Sequence, residues 1–157
     1  MRGFVVFDTS YDNTRAIAAT IAESLRQSGI ETDAAYVKDL KKVSAAENDF
    51  LVIGSPTRFG TASFAVKRFL SKLSEEEWHG KPFAAFDTEL AQNIENAEGS
   101  AGERIASSLK EKQMVQLLPV LKSVVLATRG YSLREGEIAR ARQFAETLAS
   151  ALRKRAS

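Results

Sequence analysis

Five short apolar runs, each of strand length, constrain this chain more than any other feature of its sequence. Their residues are apolar almost without a break, whereas a strand with one wet face would alternate apolar and polar side chains. The pattern therefore predicts five strands that are buried on both faces. The runs are FVVF (4–7), AAYV (34–37), FLVIGS (50–55), FAAF (83–86) and VVLA (124–127).

Helical patterns lie between most of these runs. The first stripe is Ile17, Ile21 and Leu25, after which Gly29 provides a C-terminal stop. A polar connection at 41–48 has room for a short helix. Three later helices are marked by Val66, Leu70 and Leu73 with Phe69 beside them; by Ile105 and Leu109; and by Ile138, Ala141, Ala145, Leu148 and Leu152.

The alternation of strands and helices predicts an α/β fold, a three-layer doubly wound sandwich around a five-stranded parallel sheet. The length of 157 residues and the 44% hydrophobic content suit one domain that spans 1–157. Ligands of such sheets bind beyond the carboxyl ends of the strands, where the strand order reverses. The loops at 8–14, 55–63 and 87–100 are therefore the candidate site.

Composition narrows the function classes. The chain has no cysteine and one histidine, His79, which excludes thiolate chemistry and argues against a histidine-built metal site or triad. The net charge of +2 gives no wide basic face, so we expect no nucleic-acid partner. No apolar run approaches the roughly 18 residues of a membrane span. We expect a cytoplasmic protein whose chemistry belongs to a cofactor.

The stretch DTSYDNT (8–14) joins the first strand to the first helix. A helix N-terminus presents unpaired N–H groups and a partial positive charge, which favour an anion. The hydroxyls of Thr9, Ser10 and Thr14 and the amide of Asn13 could complete a cage for a phosphate. The glycine-rich dinucleotide and P-loop patterns are absent.

These residues resemble a known family. TSYDNT (9–14) resembles the phosphate loop of flavodoxins, and GSPTRFGTASFAVKRFL (54–70) is similar to the second loop of flavodoxin-fold quinone reductases of the tryptophan-repressor-binding type. HGKPFAAFDTEL and LREGEIARARQFAETLA resemble the fourth strand and last helix of flavodoxin-domain proteins, so the resemblance covers essentially the whole chain. It implies a flavodoxin-like fold with strand order 2-1-3-4-5 and FMN as cofactor.

The resemblance also assigns site residues in three loops. The third loop would approach the flavin from the side opposite the second, starting at Asp87, and Arg58 would meet the N1–C2 region of the flavin. The phosphate would be held by Thr9, Ser10, Tyr11, Asn13 and Thr14. One side of the flavin ring would be lined by Pro56, Thr57, Arg58, Phe59 and Gly60.

Two features depart from the family pattern. Asp12 stands where the family has glycine; its carboxylate would repel a phosphate unless it points outward, and it could instead cap the helix. The third loop lacks a stacking aromatic and is acidic, with Asp87, Glu89, Glu95, Glu98 and Glu103.

The sequence also gives an expectation for two further residues, Arg15 and Tyr131. We expect Arg15, as the one cation near the phosphate loop, to point to solvent. We expect Tyr131 to cap the end of the sheet rather than border the site.

Two functions are compatible with this pattern. The first is an FMN-binding electron-transfer protein or small flavin reductase, which would be an FMN-dependent oxidoreductase acting with a redox partner protein or a small electron acceptor. The alternative is a flavodoxin-fold binding or scaffold module with weak or lost FMN binding. A homo-oligomer is left open by the sequence.

Overall fold

A computed structural model describes residues 1–94 and 99–157 of the chain. Seven strands run over β1 (Arg2–Phe7), β2 (Glu31–Tyr36), β3 (Phe50–Pro56), β4 (Pro82–Leu90), β5 (Val115–Gln116), β6 (Leu121–Leu126) and β7 (Ser132–Leu133). The helices are α1 (Asn13–Gln27), α2 (Phe64–Lys72), α3 (Glu75–Trp78), α4 (Ala91–Ile94), α5 (Ala101–Glu111) and α6 (Glu137–Ala156). Two 3-10 turns cover Val37–Asp39 and Ala127–Arg129.

The strands form one sheet in the order β2-β1-β3-β4-β6-β7. All pairings are parallel except that between β6 and β7. The α/β doubly wound fold is thereby confirmed, and β6 takes the place of the predicted fifth strand. The prediction of five strands was wrong in count, because β5 and β7 have only two residues each and leave no periodic signal.

Strands β5 and β6 both pair with β4 on the same side, and a bulge separates them. Phe83 pairs with Gln116 and Phe86 pairs with Leu121. An advance of three residues along β4 therefore corresponds to an advance of five residues from β5 to β6. Pro119 lies between β5 and β6, where the chain is not part of the sheet. Its missing backbone N–H therefore costs no hydrogen bond between strands. The bulge explains why a single strand prediction at 124–127 missed β5.

Two apolar cores lie on opposite faces of the sheet. Helices α1 and α6 pack together over one face, and α2 and α5 cover the other. The predicted stripe of Ile17, Ile21 and Leu25 is completely buried, and α1 ends before Gly29, which has a φ of 84°. The segment 41–48 contains a turn and no helix, which corrects that expectation. None of the helices within 1–94 and 99–157 is long and apolar enough to cross a membrane.

Candidate functional site

The first loop turns sharply between β1 and α1. Tyr11 and Asp12 both adopt left-handed backbone conformations, with φ of 55° and 60°. The positive φ expected where the family has glycine is therefore present in this chain, and aspartate tolerates it better than most residues. The Asp12 side chain does not cap the helix. Its Oδ1 lies 3.3 Å from Nε of Arg15 and the side chain is 80% exposed, so the charge points away from the loop's interior.

Several backbone N–H groups of this loop are free to bind an anion. Thr9 N–H donates to Oδ1 of Asp8 at 2.8 Å, and the N–H of Asn13 donates to the Ser10 carbonyl at a long 3.4 Å. Within the described part of the chain, four other N–H groups donate to no protein acceptor; they belong to Ser10, Tyr11, Asp12 and Thr14. Unpaired donors at a helix N-terminus are the usual setting for a phosphate.

The two threonines of the loop are engaged within the protein. Thr14 is completely buried, and its Oγ1 shares a hydrogen bond of 2.9 Å with Oγ1 of Thr88 on β4. The Thr9 hydroxyl accepts a 3.3 Å hydrogen bond from the N–H of Arg15. Both threonines therefore stabilise the conformation of the loop through contacts within the protein. A phosphate on this loop would face the N–H groups and the Ser10 hydroxyl instead.

Tyr131 borders the site, which corrects its expected role as a cap at the end of the sheet. The side-chain amide of Asn13 donates to the Tyr131 carbonyl at 2.6 Å. The rings of Tyr11 and Tyr131 stack with centroids 4.6 Å apart and planes 10° apart. The segment between β6 and α6 is thus fastened to the first loop by one hydrogen bond and one aromatic stack.

The second loop is a tight turn on β3. Arg58 and Thr61 exchange backbone hydrogen bonds of 3.0 and 3.1 Å. Between them, Phe59 and Gly60 have φ of 52° and 74°, the pattern of a type I′ turn. This geometry holds Phe59 fully in solvent. Arg58 instead reaches across to the first loop, where its guanidinium donates to the Ser10 hydroxyl.

Arg15 does not extend freely into solvent. Its guanidinium carbon lies 5.2 Å from the ring centre of Phe7 and 5.4 Å from that of Tyr36. The side chain is 49% exposed and is directed over β1 and β2, away from Ser10. Arg58 is therefore the cation that touches the first loop on its inner side, and the expectation that Arg15 would be the one nearby cation was wrong.

A cleft of about 250 Å³ opens between these loops at the carboxyl edge of the sheet. From the first two loops it is lined by Ser10, Tyr11, Asn13, Pro56, Thr57 and Arg58. Residues that the sequence did not assign also line it: Thr88, Glu89, Leu90, Val125 and Tyr131. The assigned residues that do not line it are Thr9, Thr14, Phe59, Gly60 and Asp87.

Asp87 lies behind the cleft wall. Only 1% of it is exposed, and its Oδ2 accepts a 2.9 Å hydrogen bond from the N–H of Gly102 at the start of α5. Burial raises the pKa of its carboxyl, against the opposing effect of hydrogen bonds from Ser100 and Gly102. Asp87 thus anchors α5 to β4. The acidic residues Glu95 and Glu98 lie outside the described residues.

Glu89 is the acidic group that faces the cleft. The residue is 9% exposed, and its carboxylate accepts no hydrogen bond from a described residue. Burial raises the pKa of its carboxyl, the negative charge of Asp87 raises it further, and Lys122 opposes both. Asp87 and Glu89 lie two residues apart on β4 and therefore on the same face of the sheet, with Glu89 closer to the carboxyl end of the strand, so the alternation of side chains does not distinguish them.

A family model described as Flavodoxin domain matches residues 4–125, which include all three loops. The chain belongs to the flavodoxin domain family. The match confirms the resemblance stated from the sequence, and with it FMN as the family's cofactor and electron transfer as the class of function.

Individual flavodoxins are similar to this chain over different lengths. A flavodoxin of Aquifex aeolicus is 33% identical over 88 residues, which span 54% of this chain and 48% of that protein. A flavodoxin of Clostridium saccharobutylicum is 27% identical over 116 residues, 73% of this chain and 71% of its own. The structure of a flavodoxin from the domain Archaea superposes with a TM-score of 0.82 at 19% identity, covering 98% of this chain and 99% of that one.

Proposed function

We propose that this flavodoxin-family chain holds FMN in the cleft between its first and second loops and passes electrons to a redox partner protein or a small acceptor. The proposal rests on the arrangement of the cleft: unpaired N–H groups and a guanidinium lie at one end, and the residues further along it are apolar or uncharged except for Glu89. FMN has a matching division, with a dianionic phosphate at one end and a planar ring at the other.

The phosphate would be held mainly by the backbone. The N–H groups of Ser10, Tyr11, Asp12 and Thr14 are unpaired within the described residues, and the Ser10 hydroxyl lies among them. Arg58 already donates to that hydroxyl and would supply a positive charge. Thr9, Asn13 and Thr14 would fix the loop's shape through their bonds to Arg15, Tyr131 and Thr88.

The ring would lie along the opposite part of the cleft. Pro56 and Thr57 form one wall, and Leu90 and Tyr131 offer apolar surface on the others. Bound FMN would supply the reversible uptake of electrons, which no side chain of this protein can provide. Phe59, at the tip of the turn, stands in solvent beside the wall formed by its neighbour Arg58 and is placed to meet a partner.

The outward direction of Asp12 supports FMN binding over the scaffold alternative. That alternative was based on Asp12 and on the acidic third loop without an aromatic residue. The Asp12 carboxylate pairs with Arg15 on the outer side of the first loop, which removes the first of these two reasons. We also propose that 1–157 acts as a single unit, because α6 packs against α1. A cytoplasmic location, a homo-oligomer and reductase activity stay predictions.

Titration of the purified protein with FMN and with riboflavin tests the proposal. We expect FMN to bind more tightly than riboflavin, because only FMN carries the phosphate. Arg58→Gln should weaken FMN binding by about 1.5–3 kcal/mol, the usual loss of a hydrogen bond to a charged group, and should change riboflavin binding little. Arg142→Gln, an exposed change on α6, is the matched control.

Two results would contradict the proposal in different ways. Failure of FMN to bind at high micromolar concentration would exclude the cofactor and leave the scaffold alternative. Equal weakening of FMN and riboflavin by Arg58→Gln would mean that Arg58 meets the flavin ring rather than the phosphate, as the family resemblance alone implies.

A further inference from the structure

A second concave surface lies apart from the FMN cleft. It is a groove of about 540 Å³ between the segment that follows β2 and the outer face of α2. We call it the basic groove; it is lined by Val37, Lys38, Leu40, Lys41, Phe64, Ala65, Arg68, Phe69 and Lys72. None of these residues lines the cleft between the first two loops.

The basic groove concentrates positive charge. Lys38 and Lys41 belong to one wall and Arg68 and Lys72 to the other, and within the described chain no carboxylate lies within 4 Å of any of these four cations. The segments 37–41 and 64–72 together hold five basic residues and one acidic residue, a net charge of +4. The whole chain carries +2, so this surface is more positive than the protein as a whole.

The same groove exposes apolar surface. Phe64, the first residue of α2, is 79% exposed, while Leu40 and Phe69 are half-buried between the two walls. An exposed aromatic side chain gains free energy when a partner covers it, on the order of 25 cal/mol for each Å² removed from water. Apolar residues surrounded by cations therefore favour a partner that presents an apolar side chain flanked by carboxylates.

The position of the groove relates it to the cleft. The 3-10 turn Val37–Asp39 follows β2 directly, and α2 starts shortly after the turn at Arg58–Thr61 that ends β3. Both walls thus begin at the carboxyl edge of the sheet, where the FMN cleft also opens. Phe59, fully exposed, stands on the turn between the two sites.

We propose that the basic groove is the docking site for an acidic segment of a partner protein whose apolar side chain covers Phe64. Charge complementarity selects an acidic partner, because four cations with no carboxylate within 4 Å repel a basic one. The concave shape favours a protein segment over a flat lipid surface. The proposal builds on the proposed function, since a partner seated here would lie beside the turn that borders the FMN cleft.

Binding of a short fluorescein-labelled peptide that alternates glutamate and leucine tests the proposal by fluorescence anisotropy. The measurement needs no FMN, so its failure is distinguishable from failure of FMN binding. We expect the affinity to fall as salt rises, because exposed charges are screened. The double variant Lys41→Glu/Arg68→Glu should weaken binding by about tenfold or more.

A matched control separates the groove from the general charge of the protein. Lys110→Glu/Arg142→Glu makes the same charge change at exposed positions on α5 and α6, and we expect less than about a twofold effect because these positions lie outside the groove. Phe64→Ser should weaken binding without altering its dependence on salt, because it removes apolar contact only.

Three outcomes would overturn the proposal. Equal weakening by both charge-reversed variants would show that the peptide senses net charge alone. Absence of peptide binding would show that the groove does not take acidic segments. Tighter binding to phosphatidylcholine vesicles that contain phosphatidylserine than to the peptide would assign the surface to anionic membranes instead.

Discussion

Asp12 occupies a left-handed position in the first loop, and its carboxylate lies beside Arg15 on the loop's outer side. We expect Asp12→Gly to leave FMN affinity within about threefold of the wild type, because an exposed ion pair contributes roughly 0–1 kcal/mol. Titration with FMN measures this, and Asp12→Asn removes the charge without introducing glycine. A tightening of about a hundredfold would show instead that the carboxylate faces the phosphate.

The hydroxyls of Thr14 and Thr88 form a buried pair that ties α1 to β4. Thr14→Val should lower the free energy of unfolding by about 1–3 kcal/mol, because it leaves the Thr88 hydroxyl without its partner. The double variant Thr14→Val/Thr88→Val should recover most of this loss, since both polar groups are then replaced by apolar ones of similar shape. Urea unfolding measures both. A double variant less stable than either single variant would refute the pairing.

Glu89 should make the stability of the protein depend on pH. Burial and Asp87 raise the pKa of its carboxyl, so its contribution to stability is fully present below the ordinary glutamate pKa of about 4.3 and is lost as the pH rises through the raised pKa. Glu89→Gln should therefore become more stable relative to the wild type as the pH increases. Urea midpoints measured across pH without FMN test this.

The control for that series is Glu146→Gln, an exposed change on α6. Its stability relative to the wild type should stay nearly constant over the same range. A constant difference for Glu89→Gln as well would mean that the carboxyl at 89 is better solvated than its position in the cleft indicates.

The backbone geometry and position of single residues were predicted well where a short local turn determines them. The positive φ at position 12 and the approach of residues 10, 11 and 13 to the second loop follow from the short turn between a strand and a helix. The pairing of Thr14 with Thr88, 74 residues apart, and the stack of Tyr11 on Tyr131 depend on tertiary packing. No local pattern in the sequence predicts such contacts. For this reason Tyr131 was predicted to cap the end of the sheet, whereas it borders the site.

Helix α5 is held close to the sheet through its first turn. A Cβ atom at Gly102 would lie 2.2 Å from Cγ1 of Val120 and 2.9 Å from Oδ2 of Asp87. Gly102→Ala should therefore lower the free energy of unfolding by about 1–3 kcal/mol through overpacking, although alanine normally favours a helix. Chemical denaturation measures the loss, and Ser107→Ala on the exposed side of α5 is the control. A stabilised Gly102→Ala variant would show that α5 can move outward freely.

Strands and helices that bury several apolar residues were predicted from the sequence, and those that bury few were missed. Six elements have apolar residues in the core, and the spacing of these residues made the elements recognisable in the sequence: β1, β3, β4, α1, α5 and α6. The two-residue strands β5 and β7 are defined by what they pair with. Their own residues are partly exposed and resemble those of a loop, so the edge of the sheet was incompletely predicted.

The described residues form two apolar layers that share one sheet, and the cleft proposed to hold FMN lies at the carboxyl edge of that sheet. The first loop starts α1, and Asn13 links it to the segment just before α6. A ligand on this loop therefore stabilises a structural unit that includes both α1 and α6, which pack over the same face of the sheet.

The packing of α1 on α6 has a consequence for the exchange of amide hydrogens with solvent. If the two helices open together, FMN must be released before either can exchange, and the opening free energy of both rises by RT ln(1 + [FMN]/Kd). Deuterium uptake followed by mass spectrometry should then slow in α6, far from the phosphate loop, as much as in α1, and less in α2 across the sheet. Equal slowing in all three helices would mean that the protein opens only as a whole.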